Sequence, residues 1–382
     1  MTNPDSTDPV FRGSGDAAAL GIAPRWHKSE KEWVDDPTHF DHPAGYIADP
    51  GLIDAVNTAL ALGKPLLLTG RPGTGKSELA ERVAWEFGLG PVLRFEAQSL
   101  TEAQDLFYRF DLVAQMADAQ MARATGVAES SRTPLEPRHF ISFGPLGKAI
   151  LRATPEINAD LLAVDRAAEG DAAAAYRLDS NAVAPQPRRS VVLIDEIDKA
   201  ARDVPNDLLN GIQRLEFRIR ELQHRRVAVP DEPALRPILL ITSNAERDLP
   251  EPFLRRCAYF HIPDPDKEKL RRILRSRVFP EGRGAALSPF YEGLLDFYVD
   301  YRDQGAGLAY RPGTSELLDW TRALEKQSVS DQKDLAANAN ALRRTIAAVV
   351  KHRDDLDALS NSLRQRHVDL ARLATIGPQS AS

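Results

Sequence analysis

The stretch Gly70-Arg71-Pro72-Gly73-Thr74-Gly75-Lys76-Ser77 decides the fold of this chain. It fits the phosphate-loop pattern G-x-x-x-x-G-K-[ST]; an apolar run at 66–68 precedes it, and residues 78–84 follow with helical spacing. The glycines let backbone N–H groups converge on phosphate oxygens, and the positive end of the next helix points at the same anion. We predict that Lys76 neutralises the β- and γ-phosphates and that Ser77 binds Mg²⁺. A glycine-rich turn that binds nothing is the weaker alternative.

Two later strands are predicted to end in polar side chains that complete such a site. The apolar run 191–194 ends in Asp195 and Glu196, and ligands collect at the carboxyl ends of buried parallel strands. We expect Asp195 to hold Mg²⁺, directly or through water, and Glu196 to orient and deprotonate the attacking water. The apolar run 238–242 is followed by Asn244, whose amide can hold that water or a γ-phosphate oxygen; a turn-forming asparagine is the alternative.

An arginine pair, Arg255 and Arg256, follows the segment Leu-Pro-Glu-Pro-Phe-Leu at 249–254. We expect that this segment cannot reach its own phosphate loop. An arginine there would instead neutralise charge at a neighbouring subunit's nucleotide, as an arginine finger. Surface arginines in contact with acidic residues are the alternative. Cys257, the single cysteine, rules out an intrachain disulfide and is expected to be a packed residue rather than a reactive thiol.

Taken together, these motifs resemble those of the AAA+ ATPases, and the nearest branch is the MoxR-like and dynein-related group. The resemblance runs from about Tyr46 to about Leu324, with support from residues 48–52, 143–146 and 204–209. It implies an α/β fold: a parallel five-stranded sheet of order 5-1-4-3-2, flanked by helices and followed by an all-α lid domain. It also implies that Asn244 senses the γ-phosphate and that Arg256 is the finger, with Arg255 as a second candidate.

The resemblance implies ATP and Mg²⁺ as cofactors, with Ser77 and Asp195 as the metal ligands. The residues assigned to the nucleotide are Gly70, Arg71, Pro72, Gly73, Thr74, Gly75, Lys76, Ser77, Glu78, Tyr46, Ile47 and Arg311. Lids of this family usually carry an arginine that contacts nucleotide. One alignment puts Glu316 at that position, and Arg311, about one turn earlier, could substitute. Tyr46 and Ile47, near the base, do not decide between ATP and GTP.

The 382 residues, 43% hydrophobic and 27% charged, are enough for two packed domains of a soluble protein. The predicted parts are a flexible N-terminal segment (1–45), a nucleotide-binding α/β domain (46–263), a helical lid domain (264–377) and a disordered tail (378–382), with insertions near 101–189 and 216–230. The predicted strands lie near 66–69, 92–95, 191–195, 238–242 and 258–262. The predicted lid helices lie near 267–278, 290–301, 315–324 and 331–363, and the last of them is either continuous or broken.

The two insertions contain the remaining substrate-contact candidates. Residues 216–222 and 225–229 alternate in polarity and predict a β-hairpin. Hairpins at this place face the central pore in some AAA+ branches, so its arginines could touch a threaded polymer or simply be solvated charges. Aromatic residues at 107, 108 and 110 are more typical of a core than of a substrate contact.

The net charge of −6 gives no general attraction to nucleic acid, which stays a conceivable partner without being indicated. The chain has no apolar run of membrane-spanning length and no signal-peptide pattern, so we expect no membrane partner and a cytosolic location. The family implies self-association into a hexameric ring that remodels or activates a partner protein, often one with a von Willebrand factor A domain. The alternative is an NTP-gated regulatory module of a bacterial defence or restriction system that controls an effector, and the same residues would serve it. A DNA helicase is the weakest candidate.

Overall fold

The computed structural model describes residues 10–13, 41–124, 134–168, 186–278, 286–303, 307–327 and 329–368. The predicted N-terminal segment falls outside these residues except at 10–13 and 41–45. The predicted tail, 378–382, falls wholly outside them. Among the described residues, one compact unit contains 10–13, 48–69 and 79–261, and a second contains 41–47, 70–78 and the residues from 262 onward.

The first unit is built on a parallel sheet of five strands among its described residues. These are β1 (Leu66–Thr69), β2 (Leu93–Glu96), β5 (Val191–Asp195), β8 (Ile238–Ser243) and β9 (Ala258–His261). Their order is β2-β5-β8-β1-β9, and every neighbouring pair is parallel. Counted along the chain as strands one to five, this is the order 5-1-4-3-2, which confirms the predicted fold. Every residue of β1 and β8 is buried, as expected for strands covered on both faces.

Two antiparallel pairs of strands belong to the same unit. The first pairs β3 (Tyr108–Phe110) with β4 (Ile141–Phe143), and the second pairs β6 (Glu216–Ile219) with β7 (Arg225–Ala228). The second is the predicted hairpin. Phe217 of β6 packs against Phe107 and Tyr108, with ring centroids 5.6 and 5.9 Å apart. Phe107 and Tyr108 are buried, so these two aromatics belong to the core rather than to a substrate-facing surface.

Helices accompany the five-stranded sheet and the two antiparallel strand pairs of the first unit. They are α1 (Pro50–Leu62), α2 (Lys76–Glu86), α3 (Leu112–Ala124), α4 (Pro145–Ala153), α5 (Ala159–Ala168), α6 (Val204–Arg214) and α7 (Glu251–Leu254), of which α2 begins within residues 70–78. Because α4 carries its apolar residues on one face, Leu146, Ile150 and Leu151 are all buried in the core. None of the helices in the described ranges is long and apolar enough to cross a membrane.

The second unit is helical over its described C-terminal residues. Its helices are α8 (Lys267–Arg277), α9 (Pro289–Asp303), α10 (Thr314–Glu325), α11 (Ala339–Thr345) and α12 (Arg353–Gln365). Trp320 is fully buried at its centre and donates a hydrogen bond of 3.0 Å from Nε1 to Thr345 Oγ1. The predicted helix over 331–363 is broken between α11 and α12, where the His352 side chain accepts the backbone N–H of Asp354 and so caps the start of α12.

Candidate nucleotide site

The backbone of the phosphate loop adopts conformations that only glycine takes readily. Gly70, Gly73 and Gly75 have φ values of +147°, +76° and +86°. A Cβ atom on Gly70 would lie 2.6 Å from the carbonyl oxygen of Ile262, and one on Gly73 would lie 2.4 Å from the hydroxyl of Ser315. The loop is therefore shaped by the absence of side chains, as a backbone cradle for an anion requires.

Lys76, the first residue of α2, is nearly buried, with 6% of its surface exposed. Its ammonium group donates to the carbonyl oxygens of Gly70 and Arg71, at 2.8 Å each. A buried charge needs such partners, and the two carbonyls hold the ammonium inside its own loop. A phosphate entering the loop would compete with them for the same charge. Ser77 follows as the second residue of α2 and is half-buried.

Arg71 and Arg311 share one acidic partner, which connects the phosphate loop to the segment before α10. Asp264 Oδ2 lies 3.2 Å from Arg71 and 3.6 Å from Arg311, and Arg71 also donates to the Arg311 carbonyl at 3.3 Å. Arg311 pairs with Asp303 as well, at 3.2 Å. Burial raises the pKa of Asp303, but hydrogen bonds from Arg302 and Arg311 outweigh this effect and hold that pKa below its ordinary value. The structure thus brings two of the predicted nucleotide residues together.

Glu316, which one alignment places at the lid arginine position, caps α10. Its carboxylate accepts the backbone N–H of Gly313 at 2.8 Å and the Tyr310 hydroxyl at 3.0 Å. A carboxylate in the first turn satisfies a helix N–H group and complements the helix dipole. A glutamate at this position therefore has a local structural purpose, and Arg311 is the arginine that the fold brings to the loop.

The remaining nucleotide candidates of this unit are Tyr46, Ile47 and Glu78. Tyr46 is buried with its ring against the loop, since a Cβ on Gly75 would lie 3.2 Å from Tyr46 Cε2. Ile47 is half-buried. Glu78, in the first turn of α2, forms an ion pair with Arg277, whose guanidinium also donates to the His42 carbonyl at 3.2 Å. Glu78 thus stabilises the start of the helix through a protein partner.

In the first unit, the carboxyl ends of β5 and β8 carry a connected acidic cluster. Thr242 in β8 donates its hydroxyl to Asp195 Oδ1 at 2.5 Å and accepts the backbone N–H of Glu196 at 2.9 Å. One threonine hydroxyl therefore positions both acidic residues. Because β5 and β8 are parallel neighbours, their carboxyl ends meet at one edge of the sheet.

The backbone of Glu196 is left-handed, and two neighbouring side chains fix the position of its carboxylate. Its φ of +54° is unusual for a residue with a side chain, and such conformations cluster at functional sites. One carboxylate oxygen accepts from Asn244 Nδ2 at 2.9 Å, and the other pairs with Lys199 at 2.5 Å. The hydrogen bond to Glu196 raises the pKa of Lys199 above its ordinary value. Asp198, which is buried, in turn accepts the backbone N–H of Asn244 at 3.3 Å.

Arg255 and Arg256 are both exposed at the end of α7. Among the described residues, Arg255 pairs with Glu251, while Arg256 donates to Gln213 Oε1 at 3.2 Å and to the Pro252 carbonyl at 2.9 Å. Neither bonds to another predicted site residue within the described ranges. Burial raises the pKa of the neighbouring Cys257 thiol to about 12, which agrees with a packed and unreactive cysteine.

Comparison with known proteins assigns the chain to a family. Residues 65–257, just over half of the chain, match the AAA domain of the dynein-related subfamily. The chain belongs to this family. This AAA+ ATPase is also similar to a solved structure described as the structure of C. elegans PCH-2, with 17% identity and a TM-score of 0.38 over 84% of this chain and 72% of that chain. No curated protein matches it significantly.

Sequence reasoning missed several residues that organise the site of this AAA+ ATPase. They are Thr242, Asp198, Lys199, Gln213 and Asp264. Thr242 left a usable signal, because a hydroxyl inside a fully buried apolar strand must find a hydrogen-bond partner. Asp264 left none, since 193 positions separate it from Arg71.

Proposed function

We propose that this AAA+ ATPase is a Mg²⁺-dependent, MoxR-like motor that hydrolyses ATP to remodel or activate a partner protein. The observation that carries the proposal is the pairing of Glu196 with Asn244 and Lys199 beside Asp195. A carboxylate oriented in this way, at the carboxyl end of a buried parallel strand, suits activation of a water molecule.

The phosphate loop supports nucleotide binding by its backbone. Its three glycines leave the N–H groups unobstructed, and Lys76 already lies among the loop carbonyls. In the proposed complex Lys76 exchanges those carbonyls for β- and γ-phosphate oxygens. Tyr46, packed on Gly75, and Ile47 are assigned to the base, and Arg311 is assigned to the lid contact through its shared partner Asp264.

The donor set suits Mg²⁺, because Ser77 offers a hydroxyl and Asp195 a carboxylate, and Mg²⁺ takes few protein ligands beside phosphate and water. The ion would neutralise charge on the β- and γ-phosphate oxygens when bound. Within the described residues, no group of three or more His, Cys, Asp or Glu side chains could hold a metal by itself.

We assign Arg256 as an arginine finger for the nucleotide of a neighbouring copy, with Arg255 as a second candidate. Arg256 is exposed, and its bond to Gln213 on α6 orients it at the surface. A finger supplied in trans requires self-association, for which we propose a hexameric ring in the cytosol. The client is a protein, with a von Willebrand factor A domain as the first candidate.

Glu196→Gln tests the assignment of the base. The variant keeps its size and its amide contact with Asn244, so it should bind ATP normally while turnover falls by roughly 10²- to 10⁴-fold. Glu246→Gln, an exposed neutralisation nearby, is the matched control and should leave turnover unchanged. Unchanged turnover in Glu196→Gln would refute the role of Glu196.

Mixing variants tests the finger and the ring. Arg256→Ala and Glu196→Gln chains should each be inactive alone, while their mixture should regain activity. Only in the mixture can an intact Glu196 meet an intact Arg256 from another copy. A mixture that assembles and stays inactive would contradict a finger acting in trans. Stimulation of the ATPase rate by nucleic acid, rather than by a protein client, would favour the gated defence module instead.

A further inference from the structure

Residues 10–13, here called the N-terminal strap, lie in a site formed by α1, α2 and the residues that flank them. The exposure of the strap alternates: Val10 and Arg12 face outward, while Phe11 and Gly13 are buried. Phe11 is completely buried, and its ring meets that of Phe87 edge to face with centroids 6.4 Å apart. A fully buried aromatic side chain is the usual anchor of a bound peptide.

Side chains of the domain, rather than a neighbouring strand, satisfy much of the strap backbone. Asn57 accepts the N–H of Phe11 at 2.8 Å and donates to its carbonyl at 3.0 Å. The two carboxylate oxygens of Glu86 accept the N–H groups of Arg12, at 2.5 Å, and of Gly13, at 3.1 Å. This pattern recognises an extended backbone whatever the exposed side chains are.

Hydrogen bonds from the strap backbone stabilise the negative charge of Glu86. It is the last residue of α2, where the helix dipole disfavours a negative charge, and only 2% of its surface is exposed. Arg82, itself fully buried, pairs with it at 3.1 Å. The two strap N–H groups supply the additional hydrogen bonds that a buried carboxylate requires.

The site also selects the residue at position 13. Gly13 has a φ of +68°, and a Cβ atom there would lie 2.6 Å from the Cβ of Ala48 and 2.9 Å from Cγ1 of Ile53. Its carbonyl accepts the Ala48 N–H at 3.1 Å, so the backbone is held close. The site therefore requires an aromatic residue, then any residue, then glycine.

We propose that this surface is a peptide-binding site for the pattern Phe-x-Gly, and that it can take the strap of a second copy of this chain as well as its own. Gly13 and Asp41 are separated by 27 residues, a length that can span up to about 90 Å when extended. The entropic cost of closing a connection rises slowly with its length, so a strap can exchange between copies at little cost.

The test empties the site in the full chain with Phe11→Ala and adds a labelled peptide of residues 8–15. Fluorescence anisotropy should show binding to this variant and none to the wild type, whose tethered strap competes at an effective concentration on the order of millimolar. A Phe11→Ala peptide should bind on the order of a hundredfold more weakly, and a Gly13→Val peptide should also fail. An Arg12→Ala peptide is the matched control and should bind normally, because Arg12 faces outward.

No binding to a folded Phe11→Ala chain, or equal binding of all four peptides, would overturn the proposal. If Phe11→Ala does not fold, a protease site inserted after residue 24 of the otherwise wild-type chain replaces it. After folding and cleavage, the cut strap should co-elute with the domain in gel filtration, and it should move to a second cut copy or be displaced by wild-type peptide, but not by the Phe11→Ala peptide. A cut strap that separates at once, or that no peptide or second copy displaces, would refute exchange.

Discussion

The phosphate loop and the acidic cluster are shaped by opposite means. In the loop, backbone geometry does most of the shaping: three glycines with positive φ, and a lysine tied to carbonyl oxygens. In the cluster, side chains shape one another, because Thr242, Asn244 and Lys199 each bond to Asp195 or Glu196.

The difference indicates how each region should respond to substitution. A backbone cradle tolerates no added side chain but depends on few side chains of its own. A side-chain network tolerates a substitution that keeps the hydrogen bond and fails when the bond is lost. Four substitutions, taken from the largest expected effect to the smallest, test this contrast.

Lys76→Met should have the largest effect, because it removes the buried positive charge that we propose binds the β- and γ-phosphates. We expect ATP affinity to fall by at least about a hundredfold, since charge-assisted hydrogen bonds contribute about 1.5–3 kcal/mol each. Isothermal titration with ATP and Mg²⁺ measures this. Lys64→Met, at an exposed lysine before β1, is the control. Equal affinity in both variants would remove Lys76 from the site.

Gly70→Ala should destabilise the loop by about 2–3 kcal/mol, because the new Cβ both strains the backbone and meets the Ile262 carbonyl. Gly90→Ala separates the two causes. Gly90 also has a positive φ, +82°, but a Cβ there meets nothing within 4 Å, so only strain of about 1 kcal/mol is expected. Urea unfolding of both variants gives the comparison. If Gly70→Ala lowers the free energy of unfolding no more than Gly90→Ala does, the contact with the Ile262 carbonyl is unimportant.

Thr242→Val should lower turnover by about tenfold, because it keeps the volume of the side chain but removes the hydroxyl that joins Asp195 to the Glu196 N–H. ATP affinity should change little. Thr242→Ser keeps the hydroxyl and should stay close to wild type in steady-state kinetics. If the serine variant is as slow as the valine variant, packing rather than the hydrogen bonds explains the threonine.

Glu316→Ala should have the smallest effect, a loss of about 1 kcal/mol in the free energy of unfolding, because it removes the cap at the start of α10. Glu316→Gln keeps an acceptor for the Gly313 N–H and should recover most of that loss. Both variants should keep ATP affinity. A large loss of affinity in Glu316→Ala would show that this residue, and not only Arg311, acts at the nucleotide.

Much of this architecture was predictable because its signals are local. The glycine spacing of the loop, the apolar runs that become β1, β5 and β8, and the alternation that becomes the β6–β7 hairpin each occupy a few consecutive residues. The second strand, predicted near 92–95, forms one residue later, at Leu93–Glu96. Strand ends depend on pairing with β5, which no local pattern specifies.

The sequence by itself determined the phosphate loop, the acidic ends of the strands and, through its resemblance to AAA+ proteins, the strand order. Only the tertiary structure decided that Thr242 joins Asp195 to Glu196, that Asp264 joins Arg71 to Arg311, and that Phe11 is buried against the domain. The physical reason is distance along the chain. These partners are from 46 to 240 positions apart, and a hydrogen bond or a buried ring leaves no periodicity across such separations.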